Sequence, residues 1–266
     1  MSILEAIDKA SSAFISPSNS GQRRLEPNKI LSMIPASDPF RDYVKQLLLD
    51  TRYITWDETI TNLEASLDDF LSTVQSKFYL SLNKYKFSSE LVFVCVFWDK
   101  LKDHVIDLVE IGPDLPPDCT VLSIDDFILT AQSLAGPIDV FQYETYRNDV
   151  HFYVCVAGST PDGLQTMEGF GAKVFYGLEL TITTIPHEFQ KQLSFGDNNE
   201  TINMYTDHKI SNVMLNTPYL FQYGLTQNYH AGCLITYPPD EGIKMWLWKQ
   251  FFSHVMAPPT MFNYQI

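Results

Sequence analysis

The chain of 266 residues carries 18 Lys and Arg against 32 Asp and Glu, a formal net charge of −14, and is 45% apolar and 14% aromatic. This composition excludes a disordered chain. It also excludes nucleic-acid binding through phosphate contacts, since the densest basic stretch is only Arg23-Arg24 and the field repels a polyanion.

The opening MSILEAIDKA has early acids and no uninterrupted apolar core, so it reads as a helix over 2–14 and not as a secretory leader. Residues 16–37 hold three prolines with several Ser and Asn and read as a surface loop. Asp38 and Pro39 then suit the cap and first position of a short helix. Over 55–84 the apolar residues Trp56, Ile60, Leu63, Leu67, Phe70, Leu71, Val74 and Phe78 recur in steps of three and four, which predicts one long helix. Thr55 and Glu58 fit a capping box at its start.

From about residue 90 the character changes. LVFVCVFW (91–98) reads as a strand buried on both faces, with HVIDLVEI (104–111) pairing against it. Residues 123–135 read as a helix capped by Ser123 with Asp126 three positions on. Strands follow at 138–145, 150–157, 173–184, 201–205, 219–224 and 229–236, with helices at 187–195 and 240–256. The expected class is α+β: a helical region over 1–88, then a mainly antiparallel sheet domain over 89–266.

Chemical motifs are sparse. Cys95, Cys119, Cys155 and Cys233 form no C-x-x-C pair, and three sit in apolar runs, the pattern of reduced thiols in a cytoplasmic protein. His151 and Cys155 would be about 13 Å apart along a strand at ~3.3 Å per residue, too far to share a zinc ion. No G-x-S-x-G elbow is present, and GFGAKVFYG (169–177) leads into a strand, so it reads as a turn and not a phosphate loop. Asp125-Asp126 and Asp68-Asp69 read as solvated acids on helix surfaces. No stretch approaches the ~18 apolar residues of a membrane span, and neither metal nor cofactor is expected.

One region stands apart. Residues 210–239 carry no acidic or basic side chain yet include Tyr219, Phe221, Tyr223 and Tyr229. They form either a core hairpin or a contact surface, because tyrosine brings large, stiff area to an interface. The stretch GPIDVFQYETYRNDVHFY (136–153) reads as two strands joined by a turn at Arg147, Asn148 and Asp149.

Pro137-Ile138-Asp139, Tyr146-Arg147, His151-Phe152-Tyr153 and Gly177-Leu178-Glu179-Leu180-Thr181 together resemble the central block of suppressor-of-fused-like domains, over about 137–250. The resemblance implies a non-enzymatic domain that holds a protein partner, as immunity and sequestering proteins do, with Tyr146, Arg147, His151 and Glu179 at the contact. An acidic chain suits a basic partner. Two other classes stay open: a viral or other assembly protein forming homo-oligomers through 210–239, and an enzyme whose site is assembled by the fold.

Overall fold

The computed structural model describes residues 1–14, 41–42, 45–46, 52–54, 56–82, 87–128, 131–180, 183–184, 229–230, 233–235 and 246–258. They fall in two compact units. One comprises Met1–Ser18, Asp57–Glu179 and Pro238–Met261; the other comprises Asn19–Trp56, Leu180–Tyr237 and Phe262–Ile266.

In the first unit, α1 (Ile3–Ala13) opens on a complete capping box. The Ser2 hydroxyl accepts from the Glu5 N–H while the Glu5 carboxylate accepts from the Ser2 N–H. Helix α2 (Trp56–Thr73) follows the predicted apolar stripe and then stops, and the tail of that stripe becomes strand β2 (Phe78–Ser81). Next come α3 (Ser89–Leu101), β3 (Val105–Val109), β4 (Thr120–Ile128), α4 (Gln132–Thr145), β5 (His151–Ser159), α5 (Pro161–Gly169) and β6 (Lys173–Glu179). The strands form one sheet in the order β3-β2-β4-β5-β6, and every pair in it is parallel.

The antiparallel α+β expectation is therefore wrong, and the architecture is α/β. Three segments account for the error. Residues 91–98 are helix α3, apolar all round because it is enclosed by α1 and the sheet; a short run of that kind has no periodicity to separate helix from strand. Residues 123–128 are strand and not helix: β4 is a central strand between β2 and β5, so it does not alternate. Residues 138–145 are helix and not strand. Leu134, Ile138 and Phe141, four and three apart, face the core, while Val140 and Tyr143 face water, and this spacing mimicked an alternation. The predicted hairpin turn at 147–149 is thus the link from a helix to a parallel strand, and β3 pairs with β2 instead of with 91–98. Helix α5 was not anticipated.

Parallel neighbours need crossovers, and right-handed crossovers fix where the helices lie. From β2 the chain moves to β3 on one side through α3; from β4 it moves to β5 and β6 on the other side through α4 and α5. Helices α4 and α5 bury Ile138, Phe141 and Met167 against Val121, Phe152, Val154 and Val156. Helix α2 covers the other face, where Phe70 meets Phe78, Tyr153 and Phe175 edge-on at 5.1, 5.5 and 5.7 Å. Helix α3 lies beside it: Lys100 reaches Glu64 and Asp68 of α2 at 3.0 and 2.7 Å. Helix α1 joins through the Trp98 indole N–H, which donates to Asp8.

In the second unit, β1 (Arg52–Ile54) pairs in parallel with β9 (Cys233–Ile235), and β7 (Thr183–Thr184) pairs antiparallel with β8 (Tyr229–His230). The expected short helix after Pro39 is represented by helical residues 41–42 and 45–46. Thr55, the strands at 201–205 and 219–224 and the helix at 187–195 lie outside the described residues. Among the described residues, no helix is long and apolar enough to cross a membrane.

Gly177 records how closely α2 approaches the sheet, and Gly158 how closely β5 packs beside β6 and Phe127. A Cβ at Gly177 would lie 2.5 Å from the Asn62 carbonyl oxygen, and one at Gly158 would lie 2.8 Å from the Leu178 carbonyl oxygen. Gly136, on α4, has nothing within 4 Å. Gly177→Ala should therefore destabilise the fold by about 1–3 kcal/mol through overpacking. Gly136→Ala should not gain the full helix-propensity benefit of about 1 kcal/mol, because the Pro137 ring disfavours helical backbone in a preceding residue that has a Cβ. Urea unfolding at unchanged slope measures both.

Candidate functional site

The order β3-β2-β4-β5-β6 reverses direction between β2 and β4. In open α/β sheets the crevice for a ligand opens at such a reversal, outside the carboxyl ends of the strands. Strand β4 brings two acids there. The Asp126 N–H donates to Asp125 Oδ1 at 2.9 Å, and the Phe127 N–H donates to Asp126 Oδ1 at 2.6 Å, so each carboxylate folds back on the next amide. Asp126 is buried and Asp125 half-buried. The acids are not the solvated helix-surface pair that the sequence suggested. Asp68, by contrast, does lie on the surface of α2, paired with Lys100.

A third carboxylate comes from the first turn of α3, which begins shortly after β2. The Ser88 hydroxyl donates to Glu90 Oε2 at 2.6 Å, orienting it. Burial, then the charge of Asp126, then that of Glu90 push the Asp125 carboxyl well above the usual carboxylate range. The turn carrying Ser88 and Glu90 is held from the C-terminal segment. Phe87 packs edge-on against Phe252 at 5.1 Å, and its N–H donates to the Ala257 carbonyl. Phe252 closes a π-helical turn, Trp248–Phe252.

Helix α4 starts just beyond β4, and its first turn is open. Ala131 stands at its N-cap in the left-handed region, φ 61°, and has no side chain that could cap the turn. The Leu134 and Ala135 N–H groups donate to the Ala131 carbonyl, so an anion here would meet the N–H groups of Gln132 and Ser133. Such strain in a residue with a Cβ costs on the order of 1–2 kcal/mol and concentrates at functional turns. Helix α5 differs: Thr160 caps it through the Gly163 N–H, and Pro161 occupies its first position. The Thr160 N–H also ties to the Ile128 carbonyl, joining the ends of β4 and β5.

One turn therefore carries two opposite preferences. Asp125, Asp126 and Glu90 favour a cation, and the open first turn of α4 favours an anion. No group of three or more His, Cys, Asp or Glu placed to hold a metal ion occurs among the described residues. The donor set suits a hard divalent cation that arrives with phosphate oxygens of its own, because magnesium is commonly held by one or two carboxylates plus ligand phosphates.

The residues singled out from the sequence lie elsewhere. Tyr146 is the exposed C-cap of α4, His151 is the exposed first residue of β5, and Glu179 is the exposed last residue of β6. Tyr229 belongs to β8, while Tyr219, Phe221 and Tyr223 lie outside the described residues. Arg147 is a structural clamp. Its Nε and Nη2 donate to the two Asp149 oxygens, both at 2.9 Å, while Nη1 and Nη2 donate to the carbonyls of Leu115 and Pro116. The guanidinium also lies 5.5 Å from the centre of the Phe141 ring. Arg147 so fastens residues 110–119, the irregular crossover from β3 to β4, to the start of β5. Cys95, Cys119 and Cys155 are buried free thiols; burial pushes Cys155 up to about 12, which leaves it unreactive.

Comparison with protein-family models finds no match for the chain, and a search of curated proteins finds none.

Two pH effects follow. A carboxyl whose folded pKa is raised stabilises the fold below its unfolded value, near 3.8 for Asp125, and that contribution is lost as pH rises through the raised pKa. Asp125→Asn should therefore be more stable than the parent at pH 7–8, with the advantage vanishing toward pH 4. Asp149 is the opposite case: its hydrogen bonds from Arg147 hold it down at about 2. Its contribution is present above about 3.8 and is lost as pH falls toward 2. Asp149→Asn should flatten that acid limb. Thermal melts across pH 2–8 read both.

Proposed function

We propose that the first unit binds a phosphorylated small molecule of the nucleotide or sugar-phosphate class together with a divalent cation, at the carboxyl ends of β2 and β4. The observation that carries this reading is the placement of three carboxylates and an uncapped helix N-terminus at the single reversal of strand order. In that arrangement Asp126 and Asp125 hold the cation, Glu90 bears on it directly or through water, and the first turn of α4 receives phosphate oxygens. Asp125 is protonated in the empty site at a pH where free carboxylates are ionised, so cation binding releases a proton.

Reaction chemistry fits the same site: a cation neutralises charge that develops on phosphate oxygens, and a carboxyl of raised pKa can hold a proton that an ordinary carboxylate has lost. On this reading an enzyme stands ahead of the non-enzymatic binding protein that the suppressor-of-fused-like resemblance implies. The protein-contact role is favoured by a different observation, the exposed aromatic side chains of α4, and is taken up below. The buried thiols support a reducing compartment such as the cytoplasm.

Isothermal titration with magnesium and a panel of nucleoside mono-, di- and triphosphates and sugar phosphates tests the reading. At least one member should bind with magnesium and lose about tenfold or more in affinity without it, and Asp126→Asn should cost a similar factor. The reading fails if no member binds, or if binding ignores both magnesium and Asp126→Asn.

A further inference from the structure

At the opposite, amino edge of the sheet, α4 ends on a surface that the folding of this unit leaves uncovered. Val140, Tyr143 and Tyr146 are 53%, 76% and 88% exposed, each three residues from the next, so they share one side of the helix end. Exposed acids surround them. Asp139 and Glu144 lie on the same helix, and the Arg147 clamp brings Asp114 and Asp118 alongside by fastening Leu115 and Pro116 next to Tyr146. Arg147 is committed to Asp149, two carbonyls and the Phe141 ring; other bases described at this edge include His151, the exposed first residue of β5, and Lys173, which lies over the Phe175 ring.

Tyr146 occupies its position against local preference. It sits at φ 53° as the C-cap of α4, where glycine or asparagine avoids a steric cost. The fold gains nothing from a tyrosine there, since the ring is almost fully in solvent.

We propose that Tyr143, Tyr146 and Val140, ringed by Asp114, Asp118, Asp139 and Glu144, form a docking surface for a cationic, arginine-rich segment of another polypeptide. Two features choose the occupant: tyrosine faces attract guanidinium groups, and four exposed carboxylates attract positive charge. The same charges oppose a second copy of this chain, a nucleic acid and an anionic membrane. The proposal is independent of the small-molecule site, which lies at the other end of the strands.

Fluorescence anisotropy with a labelled twelve-residue peptide of alternating arginine and glycine tests it on the full chain. Binding should be saturable and weaken with added salt, and Tyr143→Ala and Tyr146→Asn should each lower affinity about tenfold or more. Tyr146→Asn should melt no lower than the parent, since it relieves the left-handed backbone, so its loss of binding cannot be a loss of fold. Asp57→Asn with Asp162→Asn, exposed acids on α2 and α5, should leave affinity unchanged. The proposal is overturned if the peptide does not bind at low salt, if both tyrosine variants bind normally, or if the distant acid variant weakens binding as much as they do. It is equally overturned if the parent dimerises through this face, shown by a sedimentation mass that falls in Tyr143→Ala.

Discussion

Parallel pairing of β4 with both β2 and β5 is the constraint on which the first unit depends. A parallel strand cannot be joined to its neighbour by a tight turn, so each step across the sheet requires a segment that returns along a face. Because such returns are right-handed, leaving β2 in one direction and β4 in the other puts α3 and the pair α4, α5 on opposite faces. The two helices that start at the β2 and β4 ends then diverge, and the crevice between them is a consequence of topology. The acids stand where that crevice opens, and what they cost in stability is not a packing error but the usual cost of a functional edge.

The return from β3 to β4 is the exception in this scheme. Residues 110–119 contain no helix, and an irregular crossover brings unpaired carbonyls that need donors. Arg147 meets that need with one rigid fork, satisfying the carbonyls of Leu115 and Pro116 while Asp149 balances its charge. A lysine, with a single ammonium on a flexible stem, could not span the same set of acceptors at once. The clamp thereby joins two loops at the amino edge and gives the exposed end of α4 a fixed neighbour.

What the sequence disclosed depended on whether an element had one face or two in solvent. Helices α1 and α2 lie at the surface, so α1 was legible as a helix and α2 by its apolar stripe, as were β3, β5 and β6 as strands, while the Ser2–Glu5 box was not read. The buried elements were not. Residues 91–98 are an uninterrupted apolar run and 120–128 an apolar run broken by Ser123 and the two acids; neither shows a clear period, and only tertiary packing makes one helix and the other strand. Reading both the wrong way turned an α/β sheet into an antiparallel one. The site went unseen for the same reason, since Asp125-Asp126 has a meaning only once the preceding residues are known to be a central parallel strand. A signal was present: a non-alternating apolar run, two acids, then an uncharged turn leading into QSLAGPIDVF. The polar residues 146–151 drew attention instead, because turn chemistry is visible locally and a crevice is not.

Two features of the first unit run against its own stability, and they lie at opposite ends of the strands. Asp125 is held beside Asp126 and Glu90 in surroundings that favour its neutral form, and Tyr146 is held in a backbone conformation that suits glycine. The carboxylates accept from the Asp126 and Phe127 amides and the Ser88 hydroxyl, while the tyrosine ring is almost fully in solvent. Strain of this kind concentrates at functional positions, which is the ground for the cation proposed at the first and the cationic segment proposed at the second. The parallel sheet separates the two by the full length of β4, so each can be occupied without the other.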